Sequence, residues 1–420
     1  MKICVIGAGS PYTPELLDRL SLLRKELPVT EIMLMDIDEN RLNIMYEFCK
    51  RYQKYLNFDV NITKTTNRRE AIAGCTFVNT QFRVGKNEAR VRDERIPLAM
   101  GLVGQETTGA GGFTKGLRTI PVMLDIAKDV EELAPNAWII NYTNPTGLVA
   151  EAVTRYTKAK IVGLCAGGMF AQGWTSQALG VNPEEVRYDF IGLNHMNFSY
   201  NISVHGKKLT QDQFIKVASQ VGSVDPELIL KLEAIPSPYL QYYFHTNKKV
   251  TQFQQARQTR GEEVLDLEKE IYQEFADPNV CTKPASLKKR GGGGYSELAT
   301  LVMSAIYNNH DTWAVVNVPN CGAIKFLPDN AVIETPCIIN ASGIIPLVVK
   351  QPPKAVWGLI SAVKNYEQLA VEAAVTGDRD IALLALVAHP LVRDYETAKE
   401  LLPKLLDANQ EFLPQFYSKG

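Results

Sequence analysis

Paired cysteines, an excess charge of one sign and long apolar runs are all missing from this sequence. Its seven cysteines stand at 4, 49, 75, 165, 281, 321 and 337, an odd number with no CxxC spacing. That argues against a disulfide framework and a structural zinc site, and it fits a reducing cytoplasm. Basic and acidic residues nearly cancel, 45 against 46. No global field therefore attracts nucleic acid or an anionic membrane, and an anionic ligand has to be held by a local group of arginines. No apolar run approaches the ~20 residues of a bilayer-spanning helix. The opening MKICVIGAGS runs into a strand and not into the apolar segment of a secretory signal. The expectation is a cytoplasmic globular protein with neither nucleic acid nor membrane as partner. Histidine is scarce as well, with five in the chain, so one in an unusual setting stands out.

The chain does contain strands alternating with helices. KICVIGAGS is a β-branched run ending in glycines, TPELLDRLSLLRK has helical spacing, and TEIMLMDIDENR is a strand ending on acid. GCTFVNTQF (74–82), NAWIINYTNP (136–145) and KIVGLCAGG (160–168) read as further strands, with the helix LRTIPVMLDIAKDVEELAP among them. Such alternation implies a parallel sheet. The expected fold is α/β, with a Rossmann-like doubly wound parallel sheet over residues 1–165 and a mixed α+β domain over 166–420. In the second part, YDFIGLNHMNFSYNISVHGKKL reads as antiparallel strands with a turn at His205–Gly206. RGEEVLDLEKEIYQEF reads as a helix, KKRGGGGYS (288–296) as a flexible loop, ELATLVMSAIYN as a helix, and TWAVVNVPN and IIPLVVK as strands.

Several residues fall where such a sheet places chemistry. Gly7 and Gly9 match the first two glycines of G-x-G-x-x-G, Ser10 follows, and Tyr12 replaces the third glycine. The glycines permit a tight turn and close approach to a pyrophosphate at a helix N-terminus. Asp36 closes the second strand, where an acid binds ribose hydroxyls and favours NAD over NADP. QFRVGKNEARVRDERIPLAMGLVGQETTGAGG (81–112) sets Arg83, Arg90, Arg92 and Arg95 beyond a strand end, followed by a glycine-rich stretch, read as a loop near a ligand, that contains Glu106. Arginine suits a bidentate grip on phosphate or carboxylate. NYTNPTG (141–147) puts Asn144 at a strand end, which is equally good turn chemistry. His195, inside GLNHMNF, reads as a strand histidine that is either a core residue or a ligand. Cys165, thirty positions earlier at a strand end, is the partner with which it could hold a borderline divalent cation.

In order along the chain, GAGSPYTPEL, RDERIPLAMGLVGQETTGAGGF, NYTNPTGLVAEAV, GLC, GLNHMNF, PYLQYY, RGEEVLDLEKE and KKRGGGGYSEL resemble glycoside hydrolase family 4, whose members depend on NAD and a divalent metal. The resemblance spans nearly the whole chain. It implies hydrolysis of a 6-phospho-β-glucoside, a phosphorylated disaccharide or aryl glucoside, with NAD and manganese as cofactors. It implies metal ligands Cys165 and His195, substrate contacts from Arg90, Asn144 and Arg260, and Tyr239 as general base, with Tyr242 and Tyr243 as near alternatives. Glu106 is implied as the acid that raises the basicity of Tyr239. The chemistry implied is transient oxidation at C3, removal of the now acidic C2 proton, elimination of the aglycone, addition of water and return of the hydride. Such a route is an exception to the usual two-carboxylate scheme. A homodimer or homotetramer is implied too. In the α-acting branch an Asp follows the metal cysteine. Here that residue is Ala166, which favours a β-glycoside, and the glycines of AGG replace the Asn-Val-Pro of many β-acting members. Competing readings are an α-glycosidase or uronidase of the same family, a 2-hydroxy-acid dehydrogenase that would accumulate NADH, and a non-catalytic NAD sensor.

Overall fold

β1 (Lys2–Ile6) is buried almost throughout, as a strand of a parallel sheet covered on both faces must be. A computed structural model describes residues 1–290 and 294–417 of the chain. β2 (Glu31–Met35), β3 (Asn61–Thr65), β4 (Phe77–Thr80), β5 (Trp138–Asn141) and β6 (Lys160–Gly163) join β1 in the order β3-β2-β1-β4-β5-β6, every pairing parallel. This is the strand order of dinucleotide-binding folds. Side chains alternate between two cores: Ile3 and Val5 pack on one face, Cys4 and Ile6 on the other, as the period of two requires.

Beyond residue 180 a hairpin forms from β7 (Val186–Leu193) and β8 (Met196–Val204), to which β9 (Lys207–Lys208) and β10 (Ile235–Pro236) add antiparallel. The turn expected at His205–Gly206 joins β8 to β9, with φ of 50° and 75°. β11 (Thr312–Pro319), β12 (Val332–Asn340) and β13 (Gly343–Pro346) return to the first sheet and extend it to nine strands. β11 meets β6 antiparallel at Asn317 and Gly163. The expected fold class is therefore present, and the later part of the chain contributes three strands to the first sheet. β12 is not evident in the sequence because Pro336 interrupts its apolar run, and β3 is a half-exposed, mostly polar edge strand.

Two expectations need revision. The glycines after Glu106 are not a loop: they form the first turn of a helix, Gly109–Leu133. A Cβ on Gly111 would stand 2.2 Å from the Gln105 carbonyl oxygen and 2.7 Å from that of Asp93. Glycine here permits close packing. The stretch expected as a flexible loop at 288–296 is bounded by a helical turn, Leu287–Arg290, and by the helix Tyr295–Asn308; its residues 291–293 lie outside the described residues.

The helix Lys86–Ala99 is locked to the long helix by a fully buried ion pair. Arg118 grips both Asp93 oxygens at 2.8 and 2.7 Å and donates to Asn409 at 2.9 Å, tying in the C-terminal segment. Removing one member of such a pair strands a buried charge, at about 3–5 kcal/mol. Arg118→Met is therefore expected to lower the chemical-denaturation midpoint sharply. The double variant Arg118→Met, Asp93→Leu should recover most of that loss.

Candidate active site

A cavity of about 1080 Å³ opens at the carboxyl ends of the parallel strands, lined by Gly7, Gly9, Ser10 and Asp36 at one end and by Arg90, Glu106, Asn144, Tyr239 and Arg260 at the other. At the first end β1 stops in a turn that only glycine can make. Gly7 has φ +83°, and a Cβ there would sit 2.7 Å from the Phe82 backbone. Gly9 donates its N–H to Asp36 Oδ2 at 2.9 Å, and Asp38 donates to Asp36 Oδ1 at 2.9 Å. Asp36 thus shapes the glycine turn while facing the cavity. Burial pushes its carboxyl up, against the pull of these two amides. Ser10 donates its N–H to the Gly7 carbonyl at 3.0 Å. Tyr12, in the place of the third glycine, lies beneath the Arg290 guanidinium at 4.5 Å, and the helix Thr13–Leu22 follows.

At the other end Glu106 precedes the long helix and is surrounded by cations. Arg83 donates to its Oε2, Lys115 reaches the same oxygen at 2.8 Å, and Arg90 lies 3.1 Å from Oε1. Burial alone would raise this carboxyl, but Arg83, Lys115 and Arg90 hold it well below the usual range. Lys115 is pushed down to about 7, by burial first and the Arg83 charge second. Arg90 also binds Glu94 at 2.8 Å, whose second oxygen accepts the Gly261 N–H at 2.7 Å. That contact brings the helix Arg260–Ala276 against the site. Arg260 holds Glu263 at 2.9 Å and the Lys289 and Arg290 carbonyls at 3.0 and 3.2 Å, its side chain nearly half exposed on the cavity wall. Of the other arginines beyond β4, Arg92 pairs with Glu411 and Arg95 with Glu262.

His195 lies where a strand residue was expected but is half of a two-residue turn, because Leu193 of β7 pairs directly with Met196 of β8. Its φ is +64°, uncommon for any residue but glycine. The imidazole is buried with neither nitrogen hydrogen-bonded. Burial and the Lys115 charge push its pKa down to about 3, so it is neutral at ordinary pH. The Tyr239 ring stacks on it with centroids 3.7 Å apart at 10°. Tyr239 begins no hydrogen bond to Glu106. Burial raises its phenol, the charges of Cys165 and Glu106 raise it further, and Arg90 opposes them. Cys165 comes two residues after β6 and precedes the short 3-10 turn Ala166–Met169. Its buried thiol is pushed up by burial and by Glu334, while the Asn194 carboxamide, next to His195 in sequence, pulls it down.

These groups suit a divalent cation. A buried polar atom normally has a partner, a neutral imidazole is the form that ligates metal, and a metal deprotonates a thiol outright. Among the described residues no three His, Cys, Asp or Glu side chains converge. The protein would thus supply two donors and leave open positions for ligand oxygens. Lys115 and Glu334 went unnoticed in the sequence. Lys115 lies within an apolar helical pattern, and Glu334 within a strand that its own Pro336 obscures. The signal for both is a charged residue at a position the pattern buries.

A Rossmann-like sheet with this cavity at its strand ends places the molecule among enzymes built on a dinucleotide fold. The model described as "Family 4 glycosyl hydrolase" matches residues 2–180, and that of the "Family 4 glycosyl hydrolase C-terminal domain" matches residues 190–392. The chain belongs to glycosyl hydrolase family 4. It is 41% identical over 435 residues to the "Probable 6-phospho-beta-glucosidase" of Bacillus subtilis (strain 168), covering 100% of this chain and 98% of that one. It is 38% identical over 436 residues to the 6-phospho-β-glucosidase of Escherichia coli (strain K12), covering 99% and 97%. A structure of the 6-phospho-β-glucosidase from Thermotoga maritima with manganese, NAD+ and glucose-6-phosphate superposes with a TM-score of 0.90 at 32% identity, covering 98% of this chain and 99% of that one.

A carboxyl held low in the folded state stabilises the fold above its ordinary pKa of 4.5 and loses that contribution as pH falls below it. Denaturation midpoints of the wild type should therefore fall between pH 4.5 and more acid values by more than those of Glu106→Gln. Parallel curves would show that the Glu106 carboxyl is not held low in the folded protein.

Proposed function

We propose that this enzyme hydrolyses 6-phospho-β-glucosides, phosphorylated disaccharides or aryl glucosides, with NAD and a divalent cation, manganese in the first place. The observation that carries the reading is an unpaired His195 stacked against Tyr239, which lines the same cavity as a dinucleotide-type turn. When bound, the dinucleotide supplies a reversible hydride acceptor, and the cation stabilises negative charge on the sugar oxygens.

The chain's own groups divide the remaining work. Gly7, Gly9 and Ser10 cradle the pyrophosphate, and Asp36 accepts from the adenine ribose with the capacity its two amide bonds leave. Cys165 and His195 hold the cation. Arg90 and Asn144 orient the sugar, and Arg260 meets its 6-phosphate. Tyr239 takes the C2 proton. A phenol held this high is a weak base on its own, so a nearby positive charge is what makes it competent. Glu106, kept ionised by its three cations, raises the phenol further, so its negative charge strengthens Tyr239 as a base once the phenolic proton has left. Ala166 after Cys165 leaves the position of an α-type acid empty of a carboxyl, which supports a β-glycoside. A 6-phosphorylated substrate also supports action in the cytoplasm, and the assembly we expect is a homodimer or homotetramer. Among the described residues no helix is long and apolar enough to cross a membrane.

The test is a panel of p-nitrophenyl α- and β-glucosides, with and without a 6-phosphate, assayed with NAD and manganese. Cleavage confined to the phosphorylated β-glucoside, without net NADH, is expected. Net NADH on a hydroxy acid would favour a dehydrogenase, and preference for an α-glucoside or a uronide would overturn the substrate assignment. Tyr239→Phe, which removes only the ionisable oxygen, should abolish exchange of the C2 proton with deuterated solvent and lower kcat by the ~10²–10⁴ ascribed to a general base. Retained exchange would transfer the role to Tyr242 or Tyr243.

A further inference from the structure

Glu334 is wholly buried on β12 and is hydrogen-bonded to none of the residues given a role above, yet it lies at the meeting point of the elements that carry Cys165 and His195. Its Oε2 accepts from Asn197 Nδ2 at 2.6 Å, and Asn197 is two residues past His195 on β8. Its Oε1 accepts from Asn317 Nδ2 at 3.3 Å. Asn317 is the register partner of Glu334 on one side and of Gly163 on the other, and it donates to the Gly163 carbonyl at 3.2 Å. Gly163 ends β6, two residues before Cys165. A single carboxyl group therefore links the histidine hairpin to the cysteine loop through two carboxamides.

Gly167 marks the same convergence. A Cβ there would lie 3.1 Å from Asn197 Nδ2, 3.6 Å from Glu334 Oε2 and 3.7 Å from Cys165 Sγ. Carboxamide, carboxylate and thiol thus surround one point that a side chain would fill. A buried carboxyl in a sheet extension is costly to keep unless it is hydrogen-bonded. Its two amide partners, both leading to candidate ligands, give it a use.

We propose that Glu334 is a positioning residue of the cation site, fixing the Cys165 loop and the His195 hairpin in mutual register through Asn317 and Asn197. The proposal rests on the reading of Cys165 and His195 as cation ligands. Partners of this kind, behind the ligands themselves, typically change metal affinity when removed.

The experiment is titration of the purified full-length protein with cobalt(II), read by the near-ultraviolet thiolate-to-cobalt absorption, in wild type, Glu334→Gln and Glu334→Asp. The isosteric Gln variant is expected to bind cobalt roughly 10–100-fold more weakly, while the melting temperature and near-ultraviolet circular dichroism of the metal-free protein stay close to wild type. The Asp variant, which keeps the carboxyl but is shorter, should fall between them, and it decides the matter if the Gln variant does not fold. Wild-type affinity in the folded variants overturns the role of Glu334 alone. No thiolate absorption in the wild type overturns the cation reading, and this proposal with it.

Discussion

Leaving a buried polar group without a hydrogen bond costs on the order of 1–3 kcal/mol, and His195 has two such nitrogens, in a backbone conformation that favours glycine. A fold retains that combination only where the surroundings over-determine it. Here they do. Leu193 and Met196 are paired on either side, leaving the turn no slack. The Tyr239 ring covers one face of the imidazole, and Asn197 anchors the outgoing strand. Tyr239 on the cavity wall and the candidate ligand His195 are located relative to each other by this one turn.

The electrostatics of the cavity follow from the same enclosure. With water excluded, each charge weighs heavily on its neighbours. Glu106 is ionised only because Arg83, Arg90 and Lys115 surround it, and the Lys115 charge in turn helps keep His195 neutral. The buried pair Arg118 and Asp93 joins the helix bearing Arg90 to the helix bearing Lys115, so this balance is set by packing well away from the cavity wall. The Tyr239 phenol has Glu106 and Cys165 acting against its ionisation and Arg90 acting for it. A phenol poised this way stays protonated at ordinary pH, and only positive charge added nearby would ease its ionisation.

The parts of the fold that sequence revealed are those governed by short-range rules. The β1 run, its glycines and the acid at the end of β2 are consecutive, so their pattern survives in one dimension, and the parallel order follows from strand–helix alternation. Cys165, His195, Tyr239, Glu106, Arg90, Asn144 and Arg260 were each legible as chemistry-bearing residues, mostly through the resemblance to a family. Their arrangement was not legible. His195 reads as a strand residue because its neighbours are apolar on both sides, and only the pairing of Leu193 with Met196 reveals the turn. The glycines after Glu106 read as a loop because their helical conformation depends on contact with carbonyls of Gln105 and Thr107 and of the distant Asp93. Lys115 and Glu334 were invisible for a related reason: their partners lie nine to more than a hundred positions away in sequence.

The extension of the sheet explains why one chain region could not suffice. A parallel strand end offers backbone groups and a helix N-terminus, which serve a nucleotide well. It offers no place for a second ligand facing the cysteine loop. β11 runs antiparallel to β6 along its edge and β12 pairs with β11 on the far side, so Asn317 stands beside Gly163 with Glu334 next to it, and the β7–β8 hairpin closes over them through Asn197. The nucleotide half and the hairpin half then share one hydrogen-bonded seam. A change that loosened β12 would release the hydrogen bonds to both Asn197 and Asn317 at once.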